Sequence, residues 1–139
     1  MNSLELAKTI AAQASKAKAI DLKILDLRKL TSYTDYFVIC AGTSDRQMRA
    51  IAERARMELK KENIRPFSSE GEQGGQWILA DYGDVVLHIF NEQSRGHYDL
   101  EGFWKKAPRV RVVLVPSKKR STGATPQKKR PKKVPKSRS

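Results

Sequence analysis

A β-hairpin is predicted for residues 76–90, which read QWILADYGDVVLHIF. Two runs of strand-forming residues, Gln76–Asp81 and Asp84–Phe90, flank the pair Tyr82-Gly83. Glycine at the second position of a two-residue turn is a typical hairpin signal. We therefore expect two adjacent antiparallel strands joined at this turn, and the rest of the fold is read outward from them.

The predicted turn sets which hairpin residues face each other. The expected cross-strand pairs are Asp81–Asp84, Leu79–Val86 and Trp77–His88. Strand pleating places these six side chains on one face and the aliphatic set on the other, namely Ile78, Ala80, Val85, Leu87 and Ile89. The aliphatic face belongs against the core. The first face combines an aromatic and aliphatic patch with two carboxylates.

Three interpretations of this mixed face stay open on the residues alone. A helix could cover it, with the aspartates only keeping the turn hydrated. It could instead bind a basic protein through an apolar centre and an acidic tip, because a positive partner would relieve like charges that face each other. A metal site at Asp81 and Asp84 is the third interpretation.

The segments around the hairpin predict one α/β domain with a mixed β-sheet flanked by helices. Apolar residues at helical spacing predict a helix over 4–17 and a second helix that begins with a Ser44–Gln47 capping box and ends near Asn63. The other predicted elements are strands over Asp21–Leu27 and Asp35–Ala41, a short strand over 64–67, a polar loop over Ser68–Gly75, a short helix over Tyr98–Trp104 and an edge strand over Arg109–Val115. The strand over 35–41 should be buried on both faces.

The positive charge is concentrated at one end of the chain. Lys and Arg number 28 against 15 Asp and Glu, a formal net charge of +13. Ten of the basic residues and no acid lie in Ser117–Ser139, so residues 1–116 carry a net charge of only +3. This distribution predicts a folded domain over 1–116 and a disordered Lys/Arg-rich tail over 117–139. The high pI therefore does not mark the folded domain as a nucleic-acid-binding fold.

Composition also excludes several protein classes. The single cysteine, Cys40, cannot build a disulfide framework or a cysteine zinc cluster. No apolar run approaches the roughly 20 residues that span a bilayer. The first residues resemble neither a signal peptide nor a transit peptide. We therefore expect a cytoplasmic protein with no membrane partner.

No catalytic constellation stands out. Residues 42–44 (Gly-Thr-Ser) with Arg46 could hold a phosphate at a helix start, although helix capping explains the same residues. Nucleotidyl transfer on a related α/β plan needs two carboxylates at alternate strand positions to hold paired metals, whereas Asp81 and Asp84 flank a turn. Cys40 lies within a predicted strand, where a core role is expected. We therefore expect no catalytic residues, no cofactor and no metal.

Three separated blocks of the sequence resemble the Iojap-like family of ribosomal silencing factors. The blocks are residues 34–47, TDYFVICAGTSDRQ, residues 77–90 of the hairpin, and residues 95–104, RGHYDLEGFW. The resemblance covers roughly residues 4–104. It implies an α/β domain similar to the nucleotidyltransferase fold without that activity.

The resemblance also implies a function. Members bind the large ribosomal subunit through its ribosomal protein numbered fourteen, block association with the small subunit and repress translation under nutrient limitation. The binding surface carries over to Trp77, Leu79, Asp81, Tyr82, Asp84 and His88, and with them to Tyr98, Leu100, Glu101 and Trp104, which could instead pin the short helix to the core.

Three points stay open. The free protein could be a homodimer. The tail residues Lys118–Arg138 could contact ribosomal RNA. The alternative function is an RNA-modifying or nucleotidyltransferase-like enzyme whose basic tail holds RNA.

Overall fold

A computed structural model describes residues 1–71, 76–93, 105 and 107–110. Its helices and strands, in chain order, are α1 (Ser3–Lys16), β1 (Ile20–Asp26), β2 (Tyr36–Gly42), α2 (Asp45–Lys60), β3 (Ser68–Glu70), β4 (Trp77–Asp81), β5 (Val85–Asn91) and β6 (Arg109–Val110). The predicted short helix over 98–104, most of the predicted strand over 109–115 and the basic tail lie outside the described residues. No described helix is both long and apolar enough to cross a bilayer.

The six strands form one mixed sheet in the order β3-β4-β5-β2-β1-β6. The central strands β2 and β5 pair in parallel, and every other neighbouring pair is antiparallel. Parallel strands need a crossover connection, and α2 lies within it. Every residue of β2 is buried, as expected for a central strand with both faces covered. The predicted α/β fold with a mixed sheet flanked by helices is confirmed.

Both described helices pack on the same face of the sheet. Apolar residues of α1 and α2 form a core there with alternate strand residues, including Ile10, Ile51, Leu59, Val38, Cys40, Ile78, Leu87 and Ile89. A second buried cluster on the opposite face combines the intervening strand residues with Leu27 and Ala107 from the connections. Its members are Leu25, Leu27, Phe37, Ile39, Val86, Phe90 and Ala107. The predicted aliphatic face of the hairpin is therefore the helix side, and neither α1 nor α2 covers the mixed face.

Side chains cap the N-termini of both helices. The Asn2 side chain accepts from the Glu5 N–H at 2.8 Å, and the Glu5 carboxylate accepts from the Asn2 N–H at 2.9 Å, which form a capping box that was not predicted. The predicted capping box at Ser44 forms only in part. Ser44 Oγ accepts from the Gln47 N–H at 3.1 Å, but the Gln47 side chain accepts from the N–H of Thr43 instead.

Two predictions between residues 64 and 75 are wrong. No strand forms over 64–67. Strand β3 forms at Ser68–Glu70, within the predicted polar loop, and pairs antiparallel with β4. All three β3 side chains are exposed, so the strand exists through backbone hydrogen bonds at a sheet edge. Such an edge strand has no hydrophobic pattern from which it could be predicted.

Candidate protein-interaction surface

The β4–β5 hairpin carries most of the candidate residues, but in a different register from the predicted one. The observed cross-strand pairs are Trp77–Phe90, Leu79–His88 and Asp81–Val86. The two turn residues are Gly83 and Asp84, because the Tyr82 N–H donates to the Val85 carbonyl at 2.9 Å. The predicted pairing, which placed Asp81 opposite Asp84, is therefore wrong by two residues.

Two features of the turn explain the observed register. Gly83 occupies the first turn position with a φ of +88°, and the favoured two-residue hairpin turns require a positive φ there. The Tyr82 side chain is buried in the helix-side core, which keeps Tyr82 at a strand position rather than in the turn. Asp81 and Asp84 are consequently not cross-strand neighbours. Asp84 is exposed in the turn, whereas an Asp81 oxygen accepts from the Gly83 N–H at 2.7 Å.

The structure separates the candidate residues into groups. Partly buried Trp77 and Leu79 pack on the second cluster, and buried His88 lies among the same side chains. Asp81 is half-buried beside them, whereas Tyr82 lies on the opposite, helix-covered side. The remaining candidates, Tyr98, Leu100, Glu101 and Trp104, lie outside the described residues. We name the surface formed by Phe37, Trp77, Leu79, His88 and Phe90 the aromatic face.

His88 is the centre of the aromatic face. The Trp77 indole N–H donates to His88 Nδ1 at 3.1 Å, and the Phe37 ring meets the imidazole edge-on at 4.4 Å. The Trp77 ring also packs on Phe90, with 5.1 Å between ring centroids and 30° between their planes. Tilted and edge-on contacts of this kind stabilise aromatic clusters beyond the area that they bury. The large Trp77 side chain is therefore held in one orientation while part of it stays exposed.

The imidazole is neutral at physiological pH. Burial lowers the pKa of His88 to about 4, because the surrounding side chains cannot solvate a charged ring. Since Nδ1 accepts the hydrogen bond from Trp77, the neutral ring carries its proton on Nε2. Nε2 is buried and has no hydrogen-bond partner in the described part of the chain. His88 thus acts as a fixed acceptor that positions Trp77.

The described residues give little support to the alternative that the protein is an RNA-modifying or nucleotidyltransferase-like enzyme. Cys40 is buried in the helix-side core, across the sheet from His88. The Thr43 N–H and hydroxyl both donate to Gln47 Oε1, so this donor pair of the candidate phosphate loop is used inside the fold. No group of three metal-ligating side chains occurs among the residues that the structure describes.

One exposed aromatic residue beside the hairpin was not among the predicted site residues. Phe67 is 80% exposed, and its N–H donates to the Asp81 carbonyl at 2.7 Å. Its ring lies so close to Gly83 that a Cβ atom there would be 2.7 Å from Phe67 Cε2. The acidic tip of the hairpin, with Asp81 and Asp84, therefore carries an apolar side chain as well. A lone aromatic after Pro66 in a polar stretch was the only sequence signal for it.

Comparison with known proteins finds similarity to a single family. The family described as "Ribosomal silencing factor during starvation" matches residues 1–138. A protein of Bacillus subtilis named ribosomal silencing factor RsfS is 37% identical over 108 residues, which cover 78% of this chain and 92% of the relative. The chloroplast protein Iojap of Zea mays is 34% identical over 109 residues, 78% of this chain and 47% of that protein.

A solved structure has the same fold. The crystal structure of a protein from Chromobacterium violaceum superposes with a TM-score of 0.73 at 31% sequence identity. The match covers 85% of this chain and 98% of that one.

Proposed function

Because the chain belongs to the Iojap-like family of ribosomal silencing factors, we propose that it binds the large ribosomal subunit and represses translation under nutrient limitation. Bound there, it prevents association with the small subunit. This action requires only that the protein occupies a surface of the subunit, with no covalent chemistry. The proposed function implies that the protein acts in the cytoplasm, where the ribosomes are.

The partner on the large subunit is its ribosomal protein numbered fourteen, and the contact is the exposed part of the aromatic face. The observation that carries this proposal is the state of Trp77, which is partly exposed, apolar and already held by His88. A side chain fixed before binding loses little conformational entropy on binding, and tryptophan is enriched among binding hot spots. Leu79 extends the apolar contact beside it.

The acidic tip complements a basic partner. Asp84 is exposed at the turn, with Asp81 half-buried next to it and Phe67 in contact with the turn. Ribosomal proteins are usually basic, so an apolar contact bordered by carboxylates gives complementary charge at its rim. Charges at a rim mainly steer association, whereas the buried apolar contact slows dissociation.

The first experiment tests the apolar contact. Trp77→Ala should weaken binding to isolated large subunits by about 2 kcal/mol, or about 30-fold in Kd. It should weaken inhibition of subunit joining in parallel, with no nucleotide added. Lys8→Ala is the control, since Lys8 is exposed on α1, which packs on the opposite side of the sheet from the aromatic face. Circular dichroism checks that both variants are folded.

The second experiment tests the acidic tip. Asp84→Lys should slow association with large subunits, and the defect should shrink as salt is added, because it is electrostatic. Asp21→Lys makes the same charge change at an exposed position near the start of β1, at the end of the sheet away from the turn, and should leave the association rate nearly unchanged. If folded Trp77→Ala and Asp84→Lys proteins both inhibit joining as well as the parent, the aromatic face is not the binding surface.

A further inference from the structure

The outer side of α2 forms a cleft with the segment that follows it. The cleft has a volume of about 430 Å³ and is lined by Glu53, Arg56, Met57, Lys60, Arg65 and Pro66. Three of these side chains are cations and one is an acid. The helix packs its opposite side on the helix-side core, so the cleft and the aromatic face are on opposite sides of the sheet.

Helix geometry places the cations in a line. The buried positions of α2 all face the sheet and are Met48, Ile51, Ala52, Ala55 and Leu59. At 3.6 residues per turn, Arg49, Arg56 and Lys60 fall along one flank of the exposed side and span roughly 16 Å of helix axis. After the helix ends at Lys60, Asn63 adopts a left-handed φ of +60° in the turn that follows, and Arg65 beyond it lines the cleft. We name Arg49, Arg56, Lys60 and Arg65 the basic strip.

The basic strip keeps a surplus of positive charge. Residues 45–65 contain seven Arg and Lys against four Asp and Glu. Glu53 pairs with Arg56, and Glu58 pairs with Lys61 at 3.1 Å. Within the described part of the chain, Arg49, Lys60 and Arg65 have no carboxylate partner. These cations are therefore available to an anion from outside the chain.

The cleft also has an apolar part. Met57 is 60% exposed on α2, although the hydrophobic positions of the helix otherwise face the core. Met57 and Pro66 line the same cleft as the cations. A simple inorganic anion gains nothing from such a surface, whereas a nucleotide unit has both a phosphate and apolar ring and sugar surfaces.

We infer that the basic strip binds the phosphate backbone of RNA, with one nucleotide unit seated in the cleft against Met57 and Pro66. Guanidinium groups match phosphate oxygens with paired hydrogen bonds, and three of the four cations are arginines. The choice of RNA over an acidic protein rests on the proposed function, since the surface of the large subunit is rich in RNA. The domain would then hold protein on one side and RNA on the other.

The test compares two charge reversals in the full-length chain. Lys60→Glu/Arg65→Glu should weaken binding to a short labelled single-stranded RNA by about tenfold or more at low salt. It should also reduce the log–log salt slope by about 1.4, for two lost phosphate contacts. Lys8→Glu/Lys29→Glu changes the charge equally at exposed positions outside the strip and should have a smaller effect. Equal losses in both variants would overturn the inference, because the binding would then depend only on net charge.

Two further measurements separate RNA from other ligands. Met57→Ala should weaken RNA binding several-fold and leave binding of inorganic polyphosphate unchanged. A strip variant that loses affinity for a polyglutamate peptide but not for RNA would assign the strip to an acidic protein and overturn the inference. Circular dichroism checks folding in each case.

The joining assay keeps this inference distinct from the proposed function. The strip variant should still block subunit joining at saturating protein, because its aromatic face is intact. Loss of RNA binding in the strip variant, combined with normal joining inhibition by Trp77→Ala, would overturn only the aromatic-face assignment. Unchanged RNA binding by the strip variant, combined with loss of joining inhibition by Trp77→Ala, would overturn only the inference that the basic strip binds RNA.

Discussion

His88 links the geometry of the aromatic face to the stability of the domain. Its ring accepts from the Trp77 indole and is packed by Phe37, and burial lowers its pKa to about 4. A buried imidazole with so low a pKa is poorly suited to move protons at neutral pH. Its function is positional, and it is useful only while the ring stays neutral.

The first prediction follows from this pKa. The unfolded chain binds a proton at His88 near the usual pKa of 6.5, whereas the folded chain resists protonation until about pH 4. The free energy of unfolding should therefore fall as the pH drops below about 6.5, by about 3 kcal/mol at pH 4. His88→Gln should remove most of this dependence in urea denaturation across pH. Identical pH profiles for the parent and the variant would rule out His88 as the cause.

The second prediction concerns Gly83. Its φ of +88° is strained for any side chain, and a Cβ atom would contact the Phe67 ring. Gly83→Ala should cost about 1–2 kcal/mol in the free energy of unfolding, measured by urea denaturation. Pairing it with Phe67→Ala removes the steric part and leaves the backbone part, so the double variant should regain some stability. A neutral Gly83→Ala substitution would mean that the turn rearranges freely.

At the scale of elements, one side chain connects the two helices. Gln47 Nε2 donates to the Ala17 and Lys18 carbonyls at the end of α1, at 3.2 and 2.9 Å. Its Oε1 accepts from the N–H and hydroxyl of Thr43, just before α2. This bridge uses carbonyls that the end of α1 leaves without helical partners. It explains why the predicted capping box forms only in part.

The third prediction tests this bridge. Gln47→Glu keeps an acceptor for Thr43 but cannot donate to the two carbonyls and places a negative charge beside them. We expect a loss of about 1–2 kcal/mol in the free energy of unfolding, read from urea denaturation at neutral pH. Arg46→Ala is a control at the neighbouring exposed position and should change stability by less than about 0.5 kcal/mol. Equal stabilities for both variants would show that the bridge contributes nothing.

At the scale of the whole molecule, the sheet separates two chemically different sides of the described chain. The helix side buries the larger core and presents the basic strip on α2, while the opposite side presents Trp77 and Leu79. Two surfaces on opposite sides can be occupied at the same time without competition. The proposed function and the proposed RNA contact are therefore compatible with each other.

The fourth prediction concerns the basic tail. Residues 117–139 carry ten Lys and Arg with no acid and no aromatic, so they can neutralise phosphates but cannot stack on bases. A chain truncated after Pro116 should still block subunit joining at saturating protein. Its binding to large subunits should depend less on salt, with the log–log slope reduced by roughly 3.5–4.5 if half of the charges were engaged.

Two outcomes would contradict the tail prediction. An unchanged salt slope would show that the tail is only a solvated extension. Complete loss of inhibition at saturating protein would place the tail in the silencing surface itself. The Lys60→Glu/Arg65→Glu variant serves as a second reference, because its smaller expected change in the log–log salt slope comes from the folded domain and not from the tail.

Several features of the fold could be predicted from local patterns. The uninterrupted apolar run of β2 indicated a strand buried on both faces, and the period of apolar residues located both helices. Asn63 was predicted as the C-terminal cap of α2. The helix ends at Lys60, with Lys61 as its cap, and Asn63 supplies the left-handed residue of the turn that follows, where the Ile64 N–H donates to the Leu59 carbonyl. The alternation of the hairpin correctly assigned Ile78 and Leu87 to the core side. These features follow from the periodicity of apolar residues and from backbone preferences, both of which are set by residues close together in the sequence.

The composition and motif blocks of the sequence alone determined the family, the mixed α/β fold and the two chemically different faces of the hairpin. Only the tertiary structure decided the register, because burial of Tyr82 in a core built from distant segments shifted the turn to Gly83 and Asp84. It alone placed the Phe67 ring against the turn and Arg65 in the cleft of α2. Those placements depend on contacts between residues far apart in the chain, and the local sequence pattern does not determine such contacts.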